Sequence, residues 1–135
     1  MSDHDAIRVR LNKVLGELAP DGGTTADDDG DVTLTWEGVL LYLRLIEDED
    51  PPLVRVSCPI LLGVARTPAL LEAINGVNAG IRFGRMYWLD DQVVVSTEMV
   101  AATLDREELE SACRAVAEVV RHLEPTGLFA DVTSR

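Results

Sequence analysis

Cysteine, histidine and lysine are nearly missing from this chain: Cys58 and Cys113, His4 and His122, and Lys13 are the whole supply of each. Two distant cysteines, each inside an apolar pattern, read as reduced, buried thiols, with a disulfide between them allowed but not required. The histidines, one near each end, supply no metal-ligating cluster, and His122 falls where a cation suits the negative end of a helix. No apolar run approaches the length of a bilayer-crossing helix. The opening Met1-Ser2-Asp3-His4-Asp5 is acidic and polar where a secretory signal is basic and then apolar, so the expected location is the cytoplasm. Nowhere do a nucleophile, a base and an orienting group gather at recognisable spacing. The residues by themselves therefore point to no reaction and to no metal site.

What the chain does have is apolar content and acid. With 135 residues, 47% of them hydrophobic, it fits a single domain over residues 1–135. A domain of that size buries roughly two thirds of the surface its unfolded chain exposes. Twenty-four acidic against 12 basic side chains leave a net charge of -12, which repels phosphate backbones and anionic lipid. Nucleic acid and membrane are excluded as partners. Eleven of the basic residues are arginine, a bias that reads as codon composition before function.

Ile7, Leu11, Val14, Leu15 and Leu18 recur at helical spacing behind Ser2 or Asp3 as N-cap, and Pro20-Asp21-Gly22-Gly23 ends the pattern. Residues 21–31 turn to Gly, Thr and Asp and read as a mobile acidic loop. Val32, Leu34 and Trp36 then alternate with threonines. A two-residue turn at Glu37-Gly38 sets Trp36 opposite Val39, Leu34 opposite Leu41 and Val32 opposite Leu43. A third strand runs from Leu53 to Pro59. Thr67 and Pro68 open a helix that reaches about Asn78 and stops at Gly80. Ile81 to Leu89 and Gln92 to Val100 form two further strands about Asp90-Asp91, setting Met86 opposite Val95 and Trp88 opposite Val93. A last helix starts at Asp105, with Glu108 three residues on as in a capping box, and ends at Pro125 and Gly127. Its apolar face is Leu109, Ala112, Cys113, Val116, Val120 and Leu123.

This order, α-β-β-β-α-β-β-α, implies an α+β fold in which a five-stranded antiparallel sheet packs one apolar face against helices. The opposite face carries Tyr42, Arg44, Arg55, Ser57, Arg85, Tyr87, Ser96 and Glu98, interleaved with apolar residues such as Leu40 and Val94. That mixture is neither core nor ordinary surface.

Several constellations invite chemistry and fail on detail. Thr25-Ala26-Asp27-Asp28-Asp29-Gly30 offers three carboxylates before a glycine, yet a calcium loop aligned on Gly30 would begin with Thr25 and end with Trp36, where acids are required. Cys58 and Cys113 lie on apolar faces and lack the electropositive setting of a thiolate nucleophile. Arg44 and Arg55 oppose each other across two strands, with Arg85 on the same surface. The structural reading is that Glu98 or the acidic bend 47–50 neutralises them; the functional one is a surface accepting a carboxylate or an acidic segment. Asn75 and Asn78 read as helix C-terminal caps or as partner contacts. Leu70, Leu71, Ala73, Ile74 and Val77 make their helix apolar over more than one stripe, a surplus that a subunit interface would use.

The string Leu71-x-x-Ile74-Asn75-x-x-Asn78, continued by Phe83-Gly84-Arg85-Met86-Tyr87, a short turn and Val93 to Val95, is similar to YbjN-type bacterial proteins. The element order resembles the type III secretion chaperone fold that they share. The resemblance spans nearly the whole chain. It implies a small acidic protein, commonly a homodimer, that binds another protein or peptide segment or acts in regulation, without cofactor and without catalysis, and so not an enzyme. Its binding surface is then expected on the sheet face at Tyr42, Arg44, Arg55, Arg85 and Tyr87, and its dimer interface at Leu70, Leu71, Ile74, Asn75 and Asn78. The alternative is a sensory domain holding a small anion near Arg44, Arg55 and Arg85.

Overall fold

The computed structural model describes residues 3–18, 24–26 and 31–123. Their order is α1 (Asp3–Leu18), β1 (Thr24–Ala26), β2 (Val32–Trp36), β3 (Val39–Ile46), β4 (Leu53–Leu62), α2 (Pro68–Gly80), β5 (Arg85–Leu89), β6 (Gln92–Val100) and α3 (Arg106–Leu123). All strand pairs are antiparallel, in the spatial order β1-β2-β3-β4-β6-β5.

Both hairpin registers are those the turn residues predict. Trp36 pairs with Val39, Leu34 with Leu41 and Val32 with Leu43; Met86 pairs with Val95 and Trp88 with Val93. Glu37 and Gly38 both have positive φ, as do Asp90 and Asp91, so each turn twists with the strands it joins. Aspartate adopts this left-handed backbone more readily than most residues, which is how Asp90-Asp91 turns the chain without glycine.

Three boundaries differ from the sequence reading. Thr24–Ala26, expected inside a mobile loop, pairs with Val32–Leu34 as a sixth, edge strand; its threonines are β-branched and suit a pleated backbone. The strand ending at Pro59 instead continues to Leu62. A register shift between Pro59 and Leu61 admits the proline, which has no N–H to give the ladder. Residues 81–84 are not strand, because Gly84 takes φ +87° and breaks the pleat ahead of β5. The helix stops expected at residues 20–23 and at Pro125 and Gly127, the Ser2 cap, and most of the calcium-like loop lie outside the described residues.

Helices α2 and α3 are capped as their sequence proposes. Thr67 accepts a hydrogen bond from the Leu70 N–H at 3.1 Å, with Pro68 in the first turn. Asp105 accepts from the Glu108 N–H at 2.8 Å. Leu41, Leu43, Val54, Val56, Val93 and Val95 line one sheet face almost without exposure, and Leu70, Leu109, Cys113 and Val116 seal it from the helices. Ile7, Leu11, Val14 and Leu15 of α1 join the same cluster. Burial of one such side chain stabilises by about 1.5–3 kcal/mol, so this shared face carries the fold.

Candidate functional site

With the three helices drawn to one face, the other face of the sheet keeps its side chains partly exposed. The antiparallel register stacks them in rows. Thr33, Tyr42, Ser57, Ser96 and Arg85 lie side by side across five strands; Arg44, Arg55 and Glu98 form the next row. Leu40, Leu89 and Val100 are exposed apolar residues among them.

The arginines are held by acids of the same chain. Arg44 makes two bonds to the Asp31 carboxylate, from Nε at 2.5 Å and from Nη2 at 2.9 Å. Glu98 receives Arg85 at 2.6 Å and Arg55 at 3.5 Å. Arg85 also stands 5.4 Å over the Tyr87 ring, so the charge spreads onto an aromatic face. The neutralisation expected of Glu98 is thus present, and Arg44 and Arg55 face each other as the register requires. Beneath them, Ser96 is fully buried; its Oγ and the Nε of Arg55 find no hydrogen-bond partner among the described residues. The five candidate residues Tyr42, Arg44, Arg55, Arg85 and Tyr87 do lie together on one surface.

The helix candidates separate. Leu70 and Ile74 belong to the chain's own core, while Leu71 is half-buried and Asn75 exposed. Asn78 is engaged within the chain: its Nδ2 donates to the Met86 carbonyl at 2.9 Å and its Oδ1 accepts from the Met86 N–H at 2.8 Å. That role was missed in the sequence because nothing local shows which backbone a helix will meet.

Cys113 is buried, and removal from water, with Glu110 adding a smaller push, raises its thiol pKa from 9.0 to about 12. Cys58 is likewise buried. No group of three or more His, Cys, Asp or Glu arranged to hold a metal occurs among the described residues. No helix among them is long and apolar enough to cross a membrane. A groove of about 850 Å³ separates α2 from α3, walled by Ala73, Gly76 and Val77 on one side and Val119 and Leu123 on the other. His122 lines it too, exposed at the end of α3.

Residues 4–128 match the family model TY-Chap1, described as T3SS (YopN, CesT) and YbjN peptide-binding chaperone 1. The chain belongs to this family. Among solved structures, this TY-Chap1 chain is similar to the ExsC–ExsE complex, with TM-score 0.66 and 14% identity over 87% of this chain and 92% of that one. It is also similar to the Yersinia pestis type III secretion chaperone SycH in complex with a stable fragment of YscM2, with TM-score 0.54 and 15% identity over 83% and 98%. At such identities the likeness is one of fold. Comparison with curated proteins finds no match.

Proposed function

We propose that this TY-Chap1 protein is a non-enzymatic chaperone that binds an extended segment of another polypeptide and keeps it from misassociating. The observation that carries the reading is the open sheet. One face is covered by all three helices, while the other presents apolar side chains among ion-paired arginines and hydroxyls, a surface suited to backbone and side-chain contacts with a peptide. The family description and the two complexes of the same fold, one of them a type III secretion chaperone with a fragment of its partner, support it.

In this reading Tyr42, Arg44, Arg55, Arg85 and Tyr87 contact the client. Two copies associate through the outward side of α2, where Leu71 and Asn75 remain available. The acidic net charge keeps the loaded protein soluble. Co-purification of the tagged full chain from its native cells tests this: a stoichiometric protein partner, lost or weakened in Arg55→Ala, is expected. Absence of any stoichiometric partner overturns it.

A further inference from the structure

We infer that the free edge of β6 at Glu98–Val100, with the adjoining flank of α3, is a docking groove for a basic and apolar strand of a partner protein. This rests on the chaperone reading and supplies it with a second surface, on the far side of the sheet edge from the arginine rows.

β6 has nine residues and β5 only five, and their pairing ends at Arg85 opposite Ser96. Because Asn78 takes both polar groups of the Met86 backbone, those groups point away from β6. Arg85, Tyr87 and Leu89 are therefore the residues that exchange hydrogen bonds with Ser96, Val94 and Gln92. The same alternation directs the N–H and C=O of Glu98 and Val100 to that edge, beyond the end of β5. Gly84 is what ends the cover. At φ +87° it swings the chain aside, and a Cβ there would lie 2.9 Å from the Ser96 carbonyl oxygen, so only glycine can make the turn so close to β6.

Beside this edge opens a groove of about 710 Å³, with Met99, Ala112 and Ala115 as its apolar lining and Phe83 at its rim, 73% exposed. Its charge is one-sided. Glu107, Glu108 and Glu118 line it and make no ion pair among the described residues, while the nearby Arg114 is bound to Glu110 at 3.0 Å. An incoming strand bonds to Glu98 and Val100 through its backbone, places apolar side chains against Met99 and Phe83, and sets basic ones among the glutamates. A second copy meeting this groove through the same surface is disfavoured, because it would bring the two sets of groove glutamates together.

The test uses fluorescein-labelled hexapeptides in which valine alternates with arginine, serine or glutamate, followed by anisotropy on the full chain. The arginine peptide is expected to bind at least about tenfold more tightly than the glutamate peptide, with the gap narrowing as salt rises. The double variant Glu107→Lys/Glu118→Lys should weaken it by about tenfold. Val100→Pro, which removes an edge N–H where proline is tolerated, should abolish binding, as should N-methylation of alternate peptide amides. Phe83→Ser, outside every strand, provides a second variant whose folding is not at stake. Equal binding of the arginine peptide by wild type and all three variants removes this groove while leaving peptide binding elsewhere intact. Failure of wild type to bind any hexapeptide also removes it, and co-purification then decides the wider reading separately. A doubled sedimentation mass that Val100→Pro abolishes would assign the edge to a second copy and overturn the proposal.

Discussion

The Asn78 carboxamide meets the Met86 backbone as a neighbouring strand would, donating to its carbonyl at 2.9 Å and accepting from its N–H at 2.8 Å. β5 is an edge strand, and this pair blunts the edge with a helix side chain while fixing where α2 ends over the sheet. Carboxamide geometry is essential, because a carboxylate accepts only. Asn78→Asp leaves the Met86 carbonyl without its donor, and Asn78→Ala leaves both groups unpartnered. Each should lower unfolding free energy by about 1–3 kcal/mol in urea titration. An unchanged midpoint would show that the contact is incidental.

Glu98 joins two arginines that otherwise repel across the sheet. Glu98→Gln keeps the shape and removes the charge, and the expected loss is about 0.5–1 kcal/mol, because the arginines are partly solvated. The loss should shrink in high salt. A salt-independent effect would locate the cause in packing.

Burial makes Cys113 inert and alkaline-sensitive at once. Its thiol pKa lies at about 12 in the fold against 9.0 for the free group, so the folded state holds the proton more tightly. Stability is therefore fully present below pH 9 and falls as pH rises toward 12, with a slope approaching ~1.4 kcal/mol per pH unit. Cys113→Ala should flatten that slope in urea titrations across this range. Native protein should react with a thiol reagent at Cys113 only as fast as it unfolds; rapid labelling would contradict the burial.

Neighbouring leucines on α2 should behave oppositely. Leu70 is 1% exposed, so Leu70→Asp buries a charge in the core and should unfold the chain. Leu71→Asp, on the half-buried flank, should leave the circular dichroism melt nearly unchanged and halve the sedimentation mass if α2 joins two copies. A dimer that survives Leu71→Asp and Asn75→Arg removes α2 from the interface.

Much of the fold was legible residue by residue. Two-residue turns leave a hairpin only one register that keeps a whole face apolar, which is why the partners of Leu34 and Met86 followed from Glu37-Gly38 and Asp90-Asp91. The caps at Thr67 and Asp105 were equally local. Segment 81–84 was misread because Phe83 looks like a strand residue until Gly84 is seen to approach Ser96. Leu70 and Ile74 were read as interface because an apolar stripe does not say whether its own chain or another will cover it.

By itself the sequence determined the order of the elements other than β1, the hairpin registers, the starts of α2 and α3 and the lack of a recognisable catalytic motif. Each depends on contacts within a few residues or on a period of two or 3.6. Only the tertiary structure decided that β6 inserts between β4 and β5, that Asp31 and Glu98 hold the arginines, and that Asn78 closes one stretch of edge while β6 keeps another open. Those outcomes depend on which distant segments meet, and hydrophobic burial selects such meetings without regard to their separation along the chain.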